Sequence, residues 1–118
     1  EQRGYRWAPV TRPSPAAGLT DEFGYSWSTV ADVRAHAHPD AVEAEWRAQL
    51  DRALAAGIDV THVDAHMGSA LAPEWCDRYV ALGIEYGLPA LITESLTREN
   101  CPFSIFQNSI SSSPARAR

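Results

Sequence analysis

The residues best equipped for chemistry lie together in Thr61-His62-Val63-Asp64-Ala65-His66-Met67-Gly68. In an extended strand, side chains two apart share a face. Ile58, Val60, His62, Asp64 and His66 would therefore form one face that turns polar toward its C-terminal end. In α/β barrels that end of a strand is where active sites are built. Imidazole nitrogens and a carboxylate converging there suit a divalent metal or a proton relay. A ligating His also needs a carboxylate or carbonyl to fix its tautomer, and Asp64 is close enough to His66 to serve. The same residues could instead cap an exposed strand end, and by themselves they do not choose between several kinds of hydrolase.

A second group stands in Tyr5-Arg6-Trp7-Ala8-Pro9, where aromatic rings flank a guanidinium. Such a loop suits stacking on sugar rings and hydrogen bonding to hydroxyls or acidic groups. Its alternative is a loop anchored by buried rings. His36-Ala37-His38 resembles the HxH pairs of amidohydrolase-type sites, but those follow a buried strand. Here the pair follows Ala31-Asp32-Val33-Arg34 and precedes Pro39, so it reads as a solvated helix-entry segment.

The elements that must position these groups follow from periodicity. Pro39 to Ala56 is the clearest helix: Pro39 suits the first turn, Asp40 favours the start, and Gly57 is the stop. Val42, Trp46, Leu50 and Leu54, with Ala53, form its apolar stripe. Glu43, Arg47 and Asp51 face water, while Glu45 and Gln49 lie one turn apart at the stripe's edge and read as structural. Ile58 to Ala65 reads as a strand, rich in β-branched residues. Pro73 to Tyr86 reads as a second helix, with Trp75, Tyr79, Leu82 and Tyr86 on one face and Gly87 as its stop. Leu88 to Thr93 reads as a short second strand, and Gly4 to Thr20, with Pro9, Pro13, Pro15 and Gly18, as an extended loop.

This rhythm is that of an α/β protein with parallel strands. Parallel strands need cover on both faces and neighbours on each side, so the expectation is a slice of a larger barrel or sheet. Residues 104–118, with Ser111-Ser112-Ser113-Pro114, show neither period and read as a disordered or non-native tail. One partial domain over 1–103 remains.

Composition sets the outer bounds. The chain has 118 residues, enough for one modest domain, and 45% of them are hydrophobic. No apolar run reaches the roughly 18 residues of a transmembrane helix. A net charge of −5 and the absence of lysine argue against nucleic acid. Cys76 and Cys101 form neither a CxxC pair nor a zinc-finger spacing, so reduced thiols and a cytoplasmic setting are expected. The opening Glu1-Gln2-Arg3-Gly4, with neither an initiator Met nor a signal peptide, suggests that something precedes it.

Thr61-His62-Val63-Asp64-Ala65-His66 resembles the Thr-His-x-Asp-x-His signature of YdjC-like (ChbG/HpnK) carbohydrate deacetylases. The likeness includes Tyr5-Arg6-Trp7-Ala8-Pro9, Glu45…Gln49, Ala55-Ala56-Gly57-Ile58 and Glu85-Tyr86-Gly87-Leu88-Pro89, spanning about residues 4 to 93. The Tyr-Arg-Trp loop and the Met67-Gly68 ending look like the hopanoid-associated branch. The resemblance implies a distorted TIM-like barrel, of which this chain is an internal fragment. It also implies hydrolysis of an N-acetyl group from a sugar or glycolipid, with a divalent metal, magnesium or zinc, held by one Asp and two His.

By the same resemblance His66 is a metal ligand, Asp64 and His62 orient the metal or move protons, and Tyr5, Arg6 and Trp7 line the substrate groove. The remaining ligands, one of them in an Ala-Asp-Asp motif, are expected before Glu1. The fragment alone is therefore expected to be inactive and, through its exposed strand faces, to form homo-oligomers or aggregate. The rival readings are a non-catalytic truncated chain and another metal hydrolase with the same strand motif.

Overall fold

A computed structural model of the chain describes residues 4–92. Within them lie helices α1 (Val30–His36), α2 (Pro39–Ala55) and α3 (Cys76–Tyr86), with 3-10 turns at Pro15–Ala17 and Ser69–Leu71. The expectations for Thr93, Cys101 and the tail at 104–118 fall outside the described residues.

Helix α2 begins where the sequence places it. Pro39 occupies the first turn with Asp40 beside it, and the chain leaves through Gly57 at φ 78°, a left-handed conformation that glycine adopts without strain. Helix α3 starts at Cys76, three residues later than periodicity suggests. Ala72, before Pro73, is extended at φ −66°, ψ 145°, and the start is delayed to Cys76 because Trp75 stands outside the helical region at φ −148°, ψ 6°. Trp75 then becomes the cap residue of α3. Cys76 is disulfide-bonded, against the expectation of reduced thiols, and its partner lies outside the described residues.

Helix α1 covers Ala31–Arg34, which the sequence reading assigned to no element. Thr29 caps it, its Oγ1 accepting from the Asp32 amide at 3.1 Å and donating to the Asp32 carboxylate at 2.6 Å. The hydroxyl satisfies an amide that the first turn leaves without an intrahelical partner, and the Asp32 carboxylate orients it. His36 closes α1 and His38 caps α2, while Ala37 between them is extended and buried. Gly18 lies against this junction at φ 69°, and a Cβ there would stand 1.9 Å from the His36 carbonyl oxygen. Only glycine lets the N-terminal loop pass so close. The crossing is fixed by His38 N donating to the Ala17 carbonyl at 3.1 Å and by the Trp27 indole donating to the Gly18 carbonyl at 2.8 Å.

The two expected strands are extended segments rather than a sheet. They meet at a single parallel bridge between Val63 and Ala90. Val63 N donates to the Pro89 carbonyl at 3.0 Å, and Leu91 N donates to the Val63 carbonyl at 2.9 Å. The parallel sense agrees with the α/β expectation. The ladder stays short because neither segment has a further strand beside it among the described residues, and parallel pairing is weak without neighbours. The described residues are mainly helical, with an antiparallel bridge between Thr20 and Ser26 as the other pairing, and they form no barrel.

Apolar packing holds the bridge against the helices. Val63, Ala70, Leu71, Cys76, Tyr79 and Val80 form one cluster, and Ala37, Val42, Ala72 and Trp75 another, with Trp46 packed against both. Trp75 is 2% exposed and its indole donates to the Ser69 carbonyl. Truncating such a residue costs about 3–5 kcal/mol, a large share of the stability of any small domain. On the wet side, Arg47 pairs with Glu85 and Glu43, and Arg78 with Glu43 and Asp40, setting α2 against α3. No helix among the described residues is long and apolar enough to cross a membrane.

Candidate active site

Val63 faces inward and is buried, while its neighbours His62 and Asp64 are exposed on the other side of the segment. This is the alternation of an extended chain. It places the carboxylate and the imidazole on the face away from the helices. His66 lies beyond the extended stretch, in a turn closed by the Gly68 amide donating to the Ala65 carbonyl at 2.5 Å, with Gly68 at φ 75°. The expectation that His66 shares the strand face is corrected to that extent: the turn, not the pleat, sets its direction. The three side chains nonetheless border one cavity of about 820 Å³.

The same cavity is bordered by Tyr5, Arg6 and Trp7. The structure thus brings together the two groups that stand more than fifty residues apart in the chain. Tyr5 and Trp7 are 67% and 65% exposed, so the alternative of a loop anchored by buried rings does not hold. Their rings are nearly parallel, at 16°, with centroids 6.3 Å apart. Arg6 is engaged from the side: it pairs with the Asp21 carboxylate and lies 4.8 Å over the Tyr25 ring. Asp21 in turn accepts the amides of Phe23 and Tyr25 at 2.9 and 3.1 Å. Ser26 N donates to the Trp7 carbonyl at 2.7 Å, so the Asp21 turn and the aromatic loop form one unit.

Two residues that the sequence reading left as structural also border the cavity. Tyr79 is buried beneath the bridge, its hydroxyl donating to the Val63 carbonyl at 2.9 Å and reaching the Leu91 carbonyl at 3.4 Å. Burial, and then the negative charge of Asp64, push its phenol up to about 12. It is therefore a neutral donor at any physiological pH. Tyr79→Phe should cost about 1 kcal/mol and lower Tm by roughly 5 °C, because those carbonyls lose a buried donor. A thermal melt checks it, and an unchanged Tm would show the hydroxyl to be dispensable to the bridge.

Glu45 is the second. The sequence reading takes it as structural, at the edge of the apolar stripe, whereas it is buried and lines the cavity. Its Oε1 accepts Val10 N and Gln49 Nε2, both at 2.8 Å; its Oε2 accepts Thr11 N at 2.9 Å and Thr11 Oγ1 at 2.7 Å. Burial opposes its ionisation, but these donors outweigh that effect and hold the carboxyl below its usual range. The available signal was a carboxylate inside the Val42–Trp46–Leu50 stripe, since a buried polar group is the informative exception in an apolar face.

His36 and His38 take no part. His36 stacks on Trp27 at 4.2 Å, its Nδ1 lying 2.9 Å from the Asp32 carbonyl. Within the motif, His62 Nδ1 lies 2.8 Å from Thr61 Oγ1. Among the described residues no three His, Cys, Asp or Glu side chains converge to hold a metal ion. A catalytic zinc site uses three protein ligands, so the described residues do not supply a complete zinc site.

The chain that carries this cavity belongs to the YdjC-like family. The YdjC-like protein family matches residues 4–116. Its relatives include proteins named carbohydrate deacetylase. That of Thermus thermophilus is 37% identical over 90 residues, covering 75% of this chain and 34% of the relative. That of Brevibacillus brevis is 35% identical over 82 residues, covering 70% of this chain and 32% of the relative. That of Thermoanaerobacter pseudethanolicus is 26% identical over 85 residues. The chain thus spans about a third of the length of the curated relatives it matches.

Proposed function

We propose that this chain is part of a longer carbohydrate deacetylase that hydrolyses the N-acetyl group of a sugar or glycolipid. The observation that carries the proposal is the shared cavity, with Tyr5, Arg6 and Trp7 on one wall and His62, Asp64 and His66 on another. Relatives named carbohydrate deacetylase support the substrate class. Ring faces of Tyr5 and Trp7 receive the apolar faces of a pyranose, while the Arg6 edge donates to hydroxyl oxygens. In the reaction water adds to the acetyl carbonyl, the C–N bond breaks, acetate leaves, and the sugar amine takes up a proton. Asp64 and His62 accept and return that proton.

The exposed face of the His62–Asp64 segment and its single parallel bridge support a slice of a TIM-like barrel whose other strands lie elsewhere in the longer protein. A divalent metal, magnesium or zinc, belongs to the same proposal, with His66 as one ligand and the other donors outside the described residues. The Tyr5-Arg6-Trp7 loop and the Met67-Gly68 ending support the hopanoid-associated branch.

The test is acetate release by the longer protein from N-acetylated sugar oligomers, with added zinc or magnesium. Trp7→Ala should raise KM about tenfold, since the stacking energy of one ring is worth about that factor. No acetate from any N-acetylated sugar would overturn the reading.

A further inference from the structure

The segment that carries Tyr5, Arg6 and Trp7 has no regular structure of its own, yet its rings are held out at the cavity wall. Something must fix it. Pro9 is buried, and the next two residues are gripped by one side chain: Glu45 accepts both the Val10 and the Thr11 amides, and the Thr11 hydroxyl besides. Glu45 is itself set by Gln49, one turn further along α2. Helix α2 also carries Trp46, which packs on Tyr79 beneath the His62–Asp64 segment.

We infer that Glu45 is a positioning residue, setting the aromatic loop at its working distance from His62, Asp64 and His66. This rests on the proposed sugar-binding role of Tyr5, Arg6 and Trp7.

The hydrogen-bond inventory makes the role specific to a carboxylate. Both oxygens of Glu45 face donors. Glutamine offers one oxygen and one NH2 group. If its NH2 group takes the Oε1 position, Gln49 can flip its amide to adapt, but Val10 N loses its acceptor. If it takes the Oε2 position, the Thr11 hydroxyl can rotate to accept, but Thr11 N loses its acceptor. Either way one backbone amide is left unsatisfied, and the loop lets go at that point.

The experiment uses the longer protein with Glu45→Gln, Trp7→Ala and the double variant. Glu45→Gln should raise KM for N-acetylated sugar oligomers about tenfold while kcat stays within about twofold. Calorimetric binding of the same oligomers should weaken in parallel. In the Trp7→Ala background the Glu45→Gln effect should shrink, because part of it acts through that ring. Faster amide exchange at Val10 and Thr11 should accompany it.

Unchanged amide exchange, or a lower Tm with KM unmoved, would overturn the inference, as would effects of the two substitutions that add in full. If the unaltered protein binds no sugar, or Trp7→Ala leaves KM untouched, the sugar-binding reading fails instead. Amide exchange then still decides whether Glu45 holds the loop.

Discussion

Assayed alone, the 118-residue chain should release acetate from N-acetylated sugar oligomers at least about 1,000-fold more slowly than the longer protein. Two shortfalls combine. No three His, Cys, Asp or Glu side chains converge among the described residues, whereas a catalytic zinc site keeps three protein ligands. The segment carrying His62 and Asp64 is also tied to a neighbour at one bridge only. A misplacement of about 1 Å can cost about 100-fold in rate, and one bridge leaves more freedom than that.

The same gap has a colloidal consequence. Ile58, Met67 and Leu91 are 58%, 51% and 49% exposed, and exposed apolar side chains favour association. Size-exclusion chromatography of the isolated chain should therefore show oligomers or aggregate. Turnover within tenfold of the longer protein would mean that this chain completes the site by itself, and the incomplete-site reading would be wrong.

What the sequence reveals depends on how local its cause is. Helix α2 was legible because Pro39, the four-residue apolar spacing and Gly57 all act within the element. The first residues of α3 were not, because side-chain periodicity says nothing of the Trp75 backbone, which at φ −148°, ψ 6° stands outside the helix as its cap. Helix α1 is only seven residues long. Its Thr29–Asp32 cap was readable, but the His36-Ala37-His38 pattern drew attention to ligand spacing instead. The strands were overcalled for a different reason. β-branched residues at 58–63 report a preference for extended backbone, whereas a ladder needs partners that lie outside any single segment.

The site shows the same division. Spacing alone put His62 and Asp64 on one face, and the buried Val63 between them agrees. The direction of His66 depends on the turn at Gly68, and spacing cannot show it. That the aromatic loop and this segment border one cavity is a tertiary fact, with the Glu45 grip on Val10 and Thr11 as its cause. Residues thirty-five positions apart meet there, and no local pattern encodes the meeting.

In the longer protein His66→Ala should lower deacetylase turnover by about 100-fold or more, with bound divalent metal falling alongside. The choice of His66 over His62 is what the family resemblance implies. Asp64, Ala65 and His66 border both the 820 Å³ cavity and a second, smaller one of about 340 Å³. His66 thus stands at the junction of two spaces, where an imidazole can reach a group approached from either side. Metal content falling together with activity separates a ligand from a residue that acts on the fold alone. His62→Ala and Asp64→Asn, one residue to either side of the buried Val63, should slow turnover while leaving metal content near that of the unaltered protein. Metal analysis, thermal melts and acetate release on the three purified variants make the comparison. Full metal content and near-normal turnover in His66→Ala would assign the ligand elsewhere, and loss of metal from Asp64→Asn alone would move it to the carboxylate.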